Sequence, residues 1–402
     1  MSELMRQKSL PLNRKRDYYI DNIKAVFIFL VVLGHLLDYL GEAGLPFAIN
    51  LRSFIYFFHM PGFIFLSGYL AKSFMGKQFK GEKLISYGWL YLLFKDAIEL
   101  VHFIYDRNFF AGDNHTKITL ITIALLFFAI FLISWLYQRF ITFRYGFILF
   151  IVVISLLNTN IFVVGGAPWY LLSLIFWYIF IYLTQHMNPK YVMTAAIVMA
   201  AVLDYQEEIG KFLSLSRTIN FLPFFLLGFY MSKEQFQHIT SHKTVKRLLP
   251  WTLVILFICC MTNGKIVRKF FGIYMYGVSS YEKLPDSLYG IGPLLALLWL
   301  FLAAILMFAV FVLCPRKQTF FSYVGKNTLG IYVLHRLFKD FLYYGEVYDC
   351  LPKNQYAAVG IIILISLFMV LLFGSNLCTR AINNLSKFPT EGIYNKKKLL
   401  KS

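Results

Sequence analysis

Charge is scarce in this chain. Only 15% of its 402 residues are Asp, Glu, Lys or Arg, where a soluble domain carries about a quarter. Cysteine is scarce too: Cys259, Cys260, Cys314, Cys350 and Cys378, with no CxxC pair. That excludes a disulfide scaffold. Four of the five lie in or at the edge of apolar stretches and read as small buried residues. The sequence lacks GxxxxGK[ST], HExxH and GxSxG, so it gives no sign of a phosphate-cradling loop, a zinc protease helix or a serine-hydrolase elbow. No internal repeat or low-complexity segment is visible.

What the chain has in abundance is apolar surface. Hydrophobic residues make up 59% and aromatic residues 19%, with 43 Phe and 27 Tyr. That excludes a disordered chain and an ordinary cytosolic enzyme, and fits a polytopic membrane protein. The formal net charge is +19. In a soluble protein this would suggest a nucleic-acid partner. Here the basic residues fall mostly between apolar runs, so they read as topology and no nucleic acid is expected.

A spanning helix needs about 20 mostly apolar residues. Twelve stretches qualify, at 20–40, 51–71, 84–105, 118–138, 145–161, 168–186, 190–204, 218–232, 248–263, 288–314, 327–345 and 356–379. The expected fold is an all-α membrane bundle of 10–12 transmembrane helices. Alternate connections, both tails included, hold 25 basic residues, and the others, with the span edges, hold 10. This bias predicts that both termini are cytoplasmic. The expected organisation is a basic N-terminal segment (1–19), a membrane domain (20–379) and a basic tail (380–402) whose Lys396–Lys398 run can face lipid. The apolar run after residue 19 is too long for a signal peptide and lacks a small-residue cleavage site, so it reads as a retained first span.

Ionisable groups within apolar spans are costly and usually face a bundle interior or a wet cavity. A helix turns by about 100° per residue. Measured from Lys24, Asp21 then falls at about 60°, His35 at about 20° and Asp38 at about 40° the other way round the axis. All four share one face, with Lys24 and His35 about 16 Å apart along the axis. Each has a plainer reading: Lys24 snorkelling to pair with Asp21, His35 bonded between helices, Asp38 at a wet helix end. An imidazole there is an equally good general base. His59 precedes Pro61 and can mark a kinked helix lining a cavity. Ser67, Gly68 and Tyr69 close the same stretch, where small residues allow close helix packing. Lys95 and Glu99 are one turn apart, which suits an ion pair. His335 is followed by Arg336, Lys339 and Asp340. The aromatic residues Phe270, Phe271, Tyr274, Tyr276 and Tyr281 suggest either an interfacial belt or a surface for stacking sugars in an outer loop over 264–287.

Five segments, in order, resemble the acyltransferase-3 family of bacterial membrane acyltransferases. They are YIDNIKAVFIFLVVLGHL (19–36), FHMPGFIFLSGYL (58–70), PWYLLSLIFWY (168–178), NFLPFFLLGFYM (220–231) and GKNTLGIYVLH (325–335). The wording is closest to the sugar O-acetylase branch, which includes proteins labelled fucose 4-O-acetylase-like. The resemblance implies a multi-pass protein of the bacterial plasma membrane. It would move an acetyl group from cytoplasmic acetyl-CoA, a co-substrate, to a hydroxyl of a surface glycan or lipid-linked sugar. No metal is implied.

On this resemblance His35 is the catalytic residue, as general base or as acyl carrier; Lys24, nearer the cytoplasmic mouth, and Asp38, one turn beyond His35, are the further catalytic candidates. Lys24, Lys80, Lys83, Ser86 and Trp169 are candidates for the acyl-CoA side, and His59, Ser67, Tyr69 and His335 for the acceptor side. The chain departs from the family at the third span, where an Arg-x-x-Arg is usual. Lys83 stands at the first Arg and Ser86 at the second, with Lys80 upstream; a lysine meets phosphate as a point charge rather than a fork. Family members have about ten spans by the same hydropathy logic, so the surplus falls on the pair at 118–161. The rival function is a proton-coupled transporter or exporter, which twelve spans with buried His, Asp and Lys would also suit, although the two halves are not alike. A non-catalytic polymerase or export partner is a third class.

Overall fold

The computed structural model describes residues 16–72, 81–106, 115–158, 161–164, 166–206, 209–278 and 280–387. Eighteen α-helices follow one another among the described residues: α1 Tyr18–Glu42, α2 Pro46–Tyr56, α3 His59–Ala71, α4 Gly81–Asp106, α5 His115–Arg139, α6 Ile141–Leu157, α7 Trp169–Leu183, α8 Pro189–Val202, α9 Leu215–Asn220, α10 Leu222–Tyr230, α11 Lys233–Ser241, α12 Lys243–Tyr276, α13 Asp286–Tyr289, α14 Gly292–Leu313, α15 Ser322–Lys326, α16 Thr328–Tyr344, α17 Gln355–Phe373 and α18 Asn376–Ser386. Among the described residues the one β feature is an isolated bridge between Val163 and Phe212. The chain is an all-α polytopic bundle. Five described segments are each long and apolar enough to cross a membrane: Tyr18–Glu42, Pro46–Ala71, Lys243–Tyr276, Gly292–Leu313 and Gln355–Phe373.

Each of the twelve apolar stretches contains helix, but several differ from the expected single spans, 356–379 among them, which divides between α17 and α18. The 51–71 stretch breaks at Phe57–Phe58, where Phe58 leaves helical geometry (φ −138°, ψ −13°). Pro61 suits the position: lacking an N–H, it costs nothing in the first turn of α3, whereas inside one continuous helix it would remove a hydrogen bond. Likewise 218–232 divides into α9 and α10, with Pro223 at the start of α10. The 248–263 stretch instead continues to Tyr276, through a kink at Asn263 (φ −130°, ψ 35°). The expected loop over 264–287 is thus helical in its first half. Tyr274 and Tyr281 are buried there and pack edge-on, 6.0 Å between ring centres. Those two rings belong to the interior and offer no surface for sugar stacking.

α1 runs through the middle of the bundle, packed by α2, α3, α15, α16 and α17. Its start is fixed twice. The Asp17 carboxylate accepts from the Tyr19 and Ile20 amides, capping the helix. The Asn22 side chain donates to the Pro315 and Lys317 carbonyls and accepts from Thr319 and Ser322, all within 2.6–2.9 Å. Every polar site of that buried amide is used, so α1 is tied to the connection between α14 and α15. α3 and α10 cross closely because Gly68 and Gly228 face the partner backbone. A Cβ at either would sit 1.9 or 2.0 Å from the carbonyl oxygen of Phe225 or Phe65. α6 stands at the edge against α4, with α5 packed on α6, α16 and α18, and the two show exposed Phe128, Trp135, Leu149, Phe150 and Leu156.

Candidate active site

The shared face predicted for α1 is present, and it meets two cavities. The first, about 210 Å³, is lined by Lys24 from α1, Ser67 from α3, Lys83 and Tyr87 from α4, Tyr170 and Tyr178 from α7, and Tyr332 from α16. Lys24 Nζ lies 3.8 Å from Asp21, whose other oxygen accepts from Arg16 Nε at 2.6 Å. Arg16 therefore holds Asp21 more closely, and Lys24 turns toward the cavity. Lys83 Nζ donates to the Tyr178 hydroxyl at 3.3 Å and sits over the Tyr178 and Tyr87 rings. The cavity thus joins two ammonium groups to an aromatic wall.

The second cavity, about 230 Å³, is lined by His35 and Asp38 from α1, Tyr56 and His59 around the α2–α3 break, Trp169, Arg217, Tyr276, and Arg336 and Lys339 from α16. Asp38 is its electrostatic centre. One carboxylate oxygen accepts from Arg52 at 3.1 Å and from the Tyr56 hydroxyl at 3.3 Å. The other accepts from Lys339 Nζ at 2.8 Å and faces His35 Nδ1 at 3.5 Å. Asp38 is therefore no residue of a wet helix end; two cations from different helices hold it beside the imidazole. With Nδ1 turned to the carboxylate, Nε2 of His35 is the nitrogen left for chemistry. His335 is fully buried, its ring centre 5.4 Å from that of His35, and its Nδ1–H donates to the Ile331 carbonyl. His59 is buried in the same way, donating to the Ile55 carbonyl.

Aromatic rings separate the cavities. The Tyr170 and Tyr332 rings meet edge-on at 5.4 Å, with Phe63 and Phe94 against them. The Tyr170 hydroxyl bonds to Ser67, and the Tyr332 hydroxyl donates to the Ala167 carbonyl. One face of α1 therefore reaches both cavities, and a tyrosine layer lies between them.

The sequence-derived candidates divide unevenly between these places. His35, Asp38 and His59 line the second cavity, with His335 behind His35. Lys24 and Lys83 line the first. Ser67, proposed for the acceptor side, lies with the two lysines, whereas Trp169, proposed for the donor side, lies with His35. Ser86 bonds back to the Glu82 carbonyl, and Tyr69 packs on Phe65 and Phe236 under Lys72; neither lines either of these cavities. Lys80 and the Lys396–Lys398 run lie outside the described residues. The expected Lys95–Glu99 pair forms at 2.9 Å. Sequence reasoning missed Arg52, Tyr56, Tyr170, Arg217 and Tyr332. Arg52, at the edge of an apolar stretch, was the most findable of them.

A family model described as an acyltransferase domain matches residues 17–380, nearly the whole chain. The chain belongs to the acyltransferase-3 family. It is a membrane acyltransferase domain. No curated protein and no solved structure matches it at a significant level.

Proposed function

We propose that this acyltransferase moves an acetyl group from cytoplasmic acetyl-CoA to a hydroxyl of a cell-surface or lipid-linked saccharide in the bacterial plasma membrane. The sugar O-acetylase branch is the nearest reading of its motifs. One observation carries the proposal: a single helix face presents Lys24 to one cavity and the His35–Asp38 pair to another, across a thin aromatic layer. Anionic CoA suits the cavity with two ammonium groups and stacking rings. A thioester at the far end of the pantetheine arm would then meet the acceptor hydroxyl near His35.

The chemistry follows from the imidazole. Nδ1–H faces Asp38, so Nε2 takes the hydroxyl proton as the oxygen attacks the thioester carbonyl. The thiolate of CoA leaves and is protonated by the imidazolium. Asp38 fixes the ring tautomer and stabilises that imidazolium, as a carboxylate does beside His in other acyl-transfer sites. The geometry equally accommodates attack by Nε2 itself, which breaks the C–S bond, expels the CoA thiolate and leaves an acyl-imidazole; the acceptor hydroxyl then attacks the acyl carbon, the C–N bond breaks, and the hydroxyl proton passes to the thiolate. Single-turnover labelling of purified protein with radiolabelled acetyl-CoA tests both routes. Label passing to extracted glycan in wild type, and about a hundredfold or more slowly in His35→Ala, is the expected result. Label held on the wild-type protein before acceptor is added selects the acyl-imidazole route. Transfer by His35→Ala at the wild-type rate would refute the role of His35.

A further inference from the structure

The His35 cavity carries more positive charge than the reaction requires. Arg217, Arg336 and Lys339 line it, Arg52 stands beside it on Asp38, and the carboxylates facing these cations are Asp38 and Asp340. Asp38 is committed to Arg52 and Lys339, and Asp340 to Arg336 at 3.0 Å, with His102 at 3.8 Å. Arg217 has no carboxylate partner among the described residues: its Nε donates to the Tyr276 carbonyl at 3.1 Å and its guanidinium stands 5.3 Å over Trp169. Nη1 of Arg217 and Nε of Arg336 are buried with no hydrogen-bond partner among the described residues, as is Nε of Arg52 beside them. The Arg217 and Arg336 side chains both line the cavity.

A guanidinium without a carboxylate partner, as Arg217 is, and a guanidinium N–H left unbonded, as on Arg336, are expensive in a low-dielectric interior unless an anion meets them. Asp38 and Asp340 do not supply it, and neither does the donor. The phosphates of CoA lie at the opposite end of the pantetheine arm from its thioester, so a thioester at His35 leaves them on the Lys24 and Lys83 side. The remaining source is the acceptor.

On the acyltransferase reading above, we propose that the acceptor saccharide bears an oxyanion, a carboxylate or a phosphate, that docks on Arg217 and Arg336 and brings a neighbouring hydroxyl to His35. Guanidinium groups suit either anion, because their fixed donors match carboxylate and phosphate geometry.

The test compares three soluble probes on full-length protein in nanodiscs: methyl glucuronide, glucose 1-phosphate and methyl glucoside. Equilibrium binding is measured first, and inhibition of CoA release from acetyl-CoA second. At least one anionic probe should bind about tenfold or more tightly than the neutral glucoside. Preference for the glucuronide identifies a uronate-type acceptor, and preference for the phosphate a phosphorylated or phosphate-linked one. In Arg217→Gln and Arg336→Gln the preference should fall toward unity, with Arg217→Lys keeping part of it. Equal binding of all three probes to the wild type overturns the proposal without recourse to any variant. So does an anionic preference that survives both Gln substitutions. Loss of CoA release with the binding preference intact would instead count against the acyltransferase chemistry, which separates the two failures.

Discussion

Asp38 receives hydrogen bonds from residues 14 positions (Arg52) and 301 positions (Lys339) along the chain. Removing it leaves both half-buried cations beside an empty carboxylate site; stranding a fully buried partner costs about 3–5 kcal/mol, and these partly screened ones cost less. Asp38→Ala should therefore lower the thermal unfolding midpoint markedly. Asp38→Asn, of the same shape, should unfold nearer to wild type yet transfer acetyl groups far more slowly. His35→Ala should keep the fold and lose about 10²–10⁴-fold in rate, the usual contribution of a positioned acid–base group. Because only the unprotonated imidazole accepts a proton, the wild-type rate should fall toward acid pH, and a pH–rate profile checks the sign. At this scale the sequence was legible where charge stood out against apolar neighbours: Lys24, His35 and Asp38 could be placed on one face from spacing alone. The partners of Asp38 were not, because spacing within one helix says nothing of which distant residue packs against it. Arg217 was hidden for another reason: it falls in the connection before an expected span, where a basic residue draws no notice.

Among the elements, two helix boundaries followed prolines, although Pro250 lies inside α12 without ending it. Pro61 and Pro223 each lie in the first turn of a helix, α3 and α10, and so mark breaks inside what hydropathy counts as single spans. The second half of α12 was illegible as helix because Lys265, Arg268 and Lys269 interrupt its apolar run. Arg268 is answered by Asn50 and Ser53 of α2, at 2.8 and 3.3 Å, a contact between segments that hydropathy does not weigh. The α3–α10 crossing gives a sharp test. A methyl at Gly68 would meet the Phe225 carbonyl oxygen at 1.9 Å, so the helices must separate. Gly68→Ala should destabilise by about 1–3 kcal/mol or more. Gly360→Ala, with open space around the new carbon, should leave the thermal midpoint unchanged or slightly raised. The Asn22 bridge supplies a second test at the same scale. Asn22→Ala strips partners from Thr319, Ser322 and two carbonyls, and each buried group left unsatisfied costs about 1–3 kcal/mol. Faster proteolysis of the 314–322 connection should accompany a lower midpoint.

Across the whole molecule, two cavities share one helix, and the proposed function assigns the donor to one and the reaction to the other. The lysine pair should govern donor affinity rather than chemistry. Lys83→Gln should raise KM for acetyl-CoA severalfold while changing kcat little, as loss of uniform binding does. On the proposed function, CoA enters at the Lys24 end and the acceptor at the His35 end, so the two substrates need never share a compartment. Sealed proteoliposomes test this most directly, with labelled acetyl-CoA on one side of the bilayer and the acceptor glycan on the other. Acetylated glycan should accumulate with the wild-type protein in one orientation of the substrates, and not with His35→Ala. Acetylation that requires both substrates on the same side would contradict the account.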